Sequence, residues 1–123
     1  MSWLAVAVGG ALGAIARHAL NGWVLRLNLV PGFPAGIFIV NVVGSATIGL
    51  LAGLIASGRL HVSPDVRTFL MVGLLGGFTT FSSFSLDTLA LLRTGQPGLA
   101  AVNVLGQVAV SLLAAALGYR LAS

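Results

Sequence analysis

The chain has no cysteine, no lysine and no glutamate. Without cysteine there is no disulfide, no thiol nucleophile and no zinc–thiolate site. Charge of either sign is scarce: 7% of the 123 residues are charged, two acidic against six basic, where soluble domains carry about a quarter. A globule this small exposes a large surface for its volume and needs polar side chains to cover it. Those side chains are missing, which excludes a water-soluble monomer. The basic residues are all isolated arginines, whereas nucleic-acid binding needs clustered cations that track phosphates. No nucleic-acid partner therefore follows from the pI near 11.7. No nucleophile–base pair, metal-ligand cluster or phosphate-binding loop is present either, so the sequence does not read as an enzyme.

What the chain does have is apolar length. Hydrophobic residues make up 58%, and the mean hydropathy is +1.08. Uncharged stretches cover 2–16, 27–58, 68–86 and 94–119. A helix needs about 20 mostly apolar residues to span a bilayer. The last three stretches suffice alone. The first continues through Arg17 and His18 to Leu25, with Trp3 and Trp23 where interfacial aromatics are expected. Met1-Ser2-Trp3 lacks the positive start of a cleaved signal peptide. The sequence predicts an all-α membrane protein, a single domain over 1–123 with transmembrane helices near 3–25, 33–57, 67–90 and 97–120. Short Pro- and Gly-containing connections at 30–34, 59–65 and 93–98 leave no room for a soluble catalytic domain. Membrane lipid is the main solvent.

An even number of crossings puts both termini on one side with the second loop. Arg59, Arg67 and Arg120 lie there; Arg26, Arg93 and the more deeply placed Arg17 lie on the other. Orientation normally follows an excess of Lys and Arg on the cytoplasmic side, and here the two sides balance. Either another feature fixes one topology, or the chain inserts both ways up and opposite copies pair as an antiparallel dual-topology homodimer, an isologous arrangement like the inverted repeats of larger transporters. Gly9 and Gly13, Gly49 and Gly53, and Gly73 and Gly77 are each four apart, a spacing that lets helix backbones approach closely in lipid.

The densest anomaly is Gly76-Gly77-Phe78-Thr79-Thr80-Phe81-Ser82-Ser83-Phe84-Ser85, inside the third apolar segment. Adjacent glycines disfavour helix, and Ser and Thr bond back to the backbone, so a break is expected near 77–80. Irregular backbone at membrane depth survives where protein buries it or where it lines a polar cavity, and freed carbonyls there can hold a cation; a kink used only for packing is the plainer alternative. In the fourth segment Asn103, Gln107 and Ser111 recur every four residues and share a helix face. Intramembrane polar groups face a cavity or another helix. Arg17 and Asp87 share a membrane side and are expected to interact. His18 and His61 are scattered and interfacial and make no metal site.

The 76–85 segment resembles the third-helix signature of the Fluc (CrcB-type) fluoride channels. Two further segments match in order: Gly9-Gly10-Ala11-Leu12-Gly13-Ala14-Ile15-Ala16-Arg17, and Phe38-Ile39-Val40-Asn41-Val42-Val43-Gly44-Ser45. The resemblance covers the whole chain. It implies a fluoride-selective channel exporting fluoride from the cytoplasm across the inner (plasma) membrane, built as an antiparallel homodimer with a structural sodium ion at the dimer interface. The sodium would be held by the backbone carbonyls of Gly76 and Thr79 from both subunits. The pore residues carried over are Asn41, Phe81, Phe84, Ser82 and Ser83, with Asn103, Gln107 and Ser111 on the polar track of the fourth helix; tyrosine is common in the family where Asn103 stands. The alternative is a small dual-topology exporter of cationic drugs. Such a protein needs an intramembrane carboxylate that exchanges protons for substrate, and here the two aspartates lie in or near loops.

Overall fold

The computed structural model describes residues 1–123 and contains helices and no strands. Four are long and apolar enough to cross a membrane: α1 (Ser2–Leu27), α2 (Ala35–Ala56), α3 (Pro64–Arg93) and α4 (Pro97–Ala122). The ends follow from local chemistry. α1 stops at Asn28, which takes the left-handed conformation (φ 48°) and returns its N–H to the Leu25 carbonyl; Asn tolerates that region better than most residues. Ser63 caps α3 by accepting from the Val66 N–H, with Pro64 at the first helical position. Gly95, at φ 73°, closes the turn into α4, which Pro97 opens.

The apolar surface points outward. Trp3 is 87% exposed, and Leu105, Leu112 and Leu121 are exposed as well, the distribution a lipid solvent requires. The interior is built by close backbone approach rather than by large side chains. α1 lies against the first half of α3, where a methyl on Gly13 would collide with the Leu74 carbonyl and the Phe78 N–H, and one on Gly77 would meet the Gly10 carbonyl. α2 lies against α4 in the same way: a Cβ on Gly49 would strike the Ala115 backbone. The glycine faces therefore join helices within one chain. At the end of this second contact the Ser57 hydroxyl donates to the Ala122 carbonyl, closing α2 onto the end of α4.

The third span is not one helix. It begins as an α-turn at Pro64–Arg67, widens to a π-helix over Thr68–Leu74 and returns to α over Leu75–Phe78. It is extended at Thr79 (φ −87°, ψ 159°) and Thr80 (φ −154°, ψ 120°) and restarts as a helix over Phe81–Arg93. The chain leaves the helix two residues past the glycine pair. Gly76 and Gly77 stay helical because α1 braces that turn through Gly10 and Gly13. The interruption falls where distant partners replace the helical hydrogen bonds.

Candidate functional site

In a continuous helix the Thr80 N–H would donate to the Gly76 carbonyl and the Ser83 N–H to the Thr79 carbonyl. Neither bond exists. The Thr80 N–H donates to Asn41 Oδ1 at 2.9 Å. The Ser83 N–H donates to Thr80 Oγ1 at 3.1 Å, so Thr80 caps the second half of α3. The Gly76 and Thr79 carbonyls are thereby left without any hydrogen-bond donor. The Gly77 carbonyl has one from outside, Arg17 Nε at 3.2 Å. Thr79 turns its hydroxyl back to Leu75 at 3.0 Å. Unpaired neutral oxygens at membrane depth are the ligand type a bare monovalent cation accepts, so these two carbonyls fit that group.

Asn41 is the hinge of the site. Besides accepting from Thr80, its amide donates to the Thr80 carbonyl at 3.1 Å and to Gln107 Oε1. Gln107 Nε2 donates to Asn103 Oδ1 at 3.0 Å, Asn103 Nδ2 to Thr88 Oγ1 at 2.9 Å, and the Thr88 hydroxyl to the Phe84 carbonyl at 2.9 Å. One polar chain thus joins α2, α4, the break at Thr80 and the second half of α3. Asn103 is fully buried and Gln107 4% exposed, and burial of such groups is tolerable because each finds a partner.

An open groove of about 320 Å³ runs over this chain, between the break, α2 and α4. Asn41, Phe84, Gln107 and Ser111 line it, as do Gly76 and Thr79, and its lining carries no ionisable side chain. Phe81 flanks it from the outer surface, 77% exposed, with its ring centroid 5.4 Å from that of Phe84 and the planes inclined by 48°. The Ser111 hydroxyl is buried without a partner. Three of the residues singled out from the sequence lie outside the groove wall. Asn103 is sealed behind Gln107. Ser82 is exposed with its hydroxyl 3.2 Å from Thr80 Oγ1, and Ser83 meets Thr80 through its backbone.

The expected contact between Arg17 and Asp87 is absent. Arg17 binds the Gly77 carbonyl, an acceptor that exists only because the helix breaks there. Asp87 lines a separate cavity of about 380 Å³ with Asn28, Phe33, Thr94 and Gln96, at the end where the first and third loops meet. Two residues that organise the site were not among the candidates. Thr80 carries a readable signal, a hydroxyl residue opening a helix. Thr88 carries none, since its role depends on facing Asn103 from another helix.

Residues 4–119 match the family described as "CrcB-like protein, Camphor Resistance (CrcB)". Curated relatives include proteins named "Fluoride-specific ion channel FluC" from Methylobacillus flagellatus, 50% identical over 94% of this chain and 90% of the relative. Another, from Opitutus terrae, is 51% identical over 95% and 89%. A third, from Thermus thermophilus, is 50% identical over 97% and 91%.

Proposed function

The chain belongs to the CrcB family, and we propose that it is a fluoride channel whose pathway is the groove around Asn41 and the broken third helix. It is a multi-pass membrane protein and not an enzyme. The observation that carries the reading is the groove's chemistry: hydrogen-bonding groups and aromatic rings at membrane depth, with no charged side chain among them.

Fluoride is small and tightly hydrated, so a pathway must replace its water with several weak donors. Amides, hydroxyls and the positive edges of Phe81 and Phe84 supply attraction without a full charge. That is the balance conduction needs, strong enough for entry and weak enough for exit. Chloride is larger, and the pathway closed by a second copy is expected to be too narrow for it. A proton-coupled drug exporter would need a carboxylate at its binding site, and the groove has none.

Two antiparallel copies form the working unit, inserted in opposite orientations in the plasma membrane, and fluoride leaves the cytoplasm down its electrochemical gradient. The equal arginine count, three on each side, and the groove's open, uncovered flank with Phe81 beside it support this pairing. A sodium ion held by the Gly76 and Thr79 carbonyls of both subunits would bind the broken helices together and add a fixed positive charge near the pathway. The test is fluoride efflux from liposomes holding the purified protein, read with an ion-selective electrode beside a chloride control. Fluoride efflux without chloride efflux is expected; equal fluxes, or none, would refute the reading.

A further inference from the structure

The hydrogen atoms that should greet an anion at the groove's centre are already in use. An Asn amide has two; Asn41 gives one to the Thr80 carbonyl and one to Gln107 Oε1. The atom of Gln107 that faces Asn41 is therefore an acceptor, which repels an anion. From there the donors run in one direction, Gln107 to Asn103, Asn103 to Thr88 and Thr88 to the Phe84 carbonyl. In this polarity the chain satisfies itself and excludes fluoride.

The same groups have a second consistent arrangement. A half-turn of a primary amide about its last torsion exchanges its oxygen and nitrogen in place. If Asn103 and Gln107 both turn, the Thr88 hydroxyl rotates from the Phe84 carbonyl to donate to Asn103 Oδ1. Asn103 Nδ2 then donates to Gln107 Oε1, and Gln107 Nε2 faces Asn41 Nδ2. Asn103 Oδ1 and Gln107 Oε1 each keep a donor, and Thr88 Oγ1 changes from acceptor to donor, releasing the Phe84 carbonyl. But two amide nitrogens now point at each other and repel unless something negative lies between them. We infer that Asn103 and Gln107 form an invertible hydrogen-bond relay whose turned form is an anion site, with fluoride held between Asn41 Nδ2 and Gln107 Nε2.

A second observation points to the same place. Ser111, one turn beyond Gln107, lines the groove with a buried hydroxyl that has no partner, a third donor awaiting an acceptor. The groove's volume of about 320 Å³ leaves Gln107 room to draw back from Asn41 as the anion enters. Bonds to a bare anion are charge-assisted and stronger than the neutral amide bond they replace. The anion thus supplies the differential affinity that any two-state shift requires. After it leaves, the relay turns back and no buried amide is left unpaired.

The inference rests on the fluoride-channel reading, and its test separates the two. Gln96→Ala leaves Gln107 as the sole glutamine, so labelling glutamine side chains with ¹⁵N reports on that amide alone. In liposomes with sodium fluoride, ¹⁹F–¹⁵N dipolar coupling is expected at Gln107; its absence in protein that conducts fluoride normally overturns the relay. Gln107→Met keeps the length and removes the donor. Flux should fall about tenfold, the loss of one charge-assisted donor, with assembly unchanged. Wild-type or faster flux would mean that Gln107 only obstructs Asn41, and the relay would be wrong. No fluoride flux through the wild type would overturn the channel reading itself, and this one with it.

Discussion

Asn41 and Thr80 are joined by two hydrogen bonds running in opposite directions: the Thr80 N–H donates to Asn41 Oδ1 at 2.9 Å, and Asn41 Nδ2 donates to the Thr80 carbonyl at 3.1 Å. A side-chain amide on α2 therefore mimics a strand partner for the one extended stretch of α3. This contact makes the break a defined structure rather than a frayed one, because it satisfies polar backbone that lipid could not.

Substitutions at Asn41 should separate its two roles. Asn41→Leu strands the N–H and C=O of Thr80, at about 1–3 kcal/mol for each buried group left unpaired. The purified protein should lose thermal stability and all flux. Asn41→Asp keeps the acceptor for the Thr80 N–H and loses the donors. It should assemble on size-exclusion chromatography and yet conduct no fluoride. An Asn41→Asp channel with wild-type flux would remove this amide from the pathway.

The two phenylalanines should behave differently in stability and alike in function. Phe84 is 9% exposed and Phe81 is 77% exposed within the subunit. Phe84→Ile should therefore cost about 1–2 kcal/mol of packing, and Phe81→Ile little. Both remove the ring quadrupole, so each should cut fluoride efflux strongly while the protein stays folded. Phe→Met should do less harm, because a thioether is more polarizable than a branched alkyl group. Wild-type efflux in the Phe81→Ile, Phe84→Ile double variant would show that the rings only pack.

Much of this was legible in the chain. Three of the four spans follow from uncharged apolar length and the first from a run that continues through Arg17 and His18, and the weakness of the third follows from Gly76-Gly77 and the hydroxyl run. The break lies later than the glycines suggest because its position is set from elsewhere: Gly10 and Gly13 brace the glycine turn, and Asn41, 39 positions from Thr80, takes over where the helix stops. Spacing alone put Asn103, Gln107 and Ser111 on one face. It did not show that Asn103 is sealed while Gln107 meets the groove, since that depends on how α4 crosses α3. Arg17 illustrates the same limit. Its partner is a backbone carbonyl that the break releases, and an unbonded carbonyl has no letter in the sequence.

Glycine substitutions offer a controlled comparison within α1. A methyl at Gly13 would collide with the Leu74 carbonyl and the Phe78 N–H, whereas one at Gly22 would meet nothing within 4 Å. Gly13→Ala should force α1 from α3 and lower the melting temperature in detergent. Gly22→Ala should leave it unchanged or raise it, because the exchange stabilises a helix by up to about 1 kcal/mol. Equal effects would show that the α1–α3 contact contributes nothing to stability.

Dual topology is tested by unbalancing the charge. Two lysines added after Arg59 bias the second loop toward the cytoplasm, so every copy should insert one way up and fluoride export should stop. Co-expression with a variant biased the opposite way should restore it. Fluoride resistance of the host cell reports both outcomes. Full activity of the lysine variant alone would exclude the antiparallel pair.

Gly76 gives the sharpest test of the sodium site. Its carbonyl has lost its helical donor, and a Cβ there would come no closer to its own subunit than 3.8 Å, from the Met71 carbonyl. The subunit thus has room for a larger side chain, and any clash must come from what sits on the open side. Gly76→Val should fold as a subunit, with unchanged helix content by circular dichroism. In the antiparallel pair proposed above, it would crowd the space between the Gly76 and Thr79 carbonyls of the two copies. Thr79→Ser keeps the carbonyl, and its hydroxyl can still turn back to Leu75 as Thr79 does at 3.0 Å, so it should retain the ion. Sodium binding only to the native state stabilises by mass action. The melting temperature of the wild type and of Thr79→Ser should therefore rise with sodium at constant ionic strength, while Gly76→Val should not respond. If sodium raises all three melting temperatures equally, the ion binds elsewhere, and these carbonyls are not its ligands.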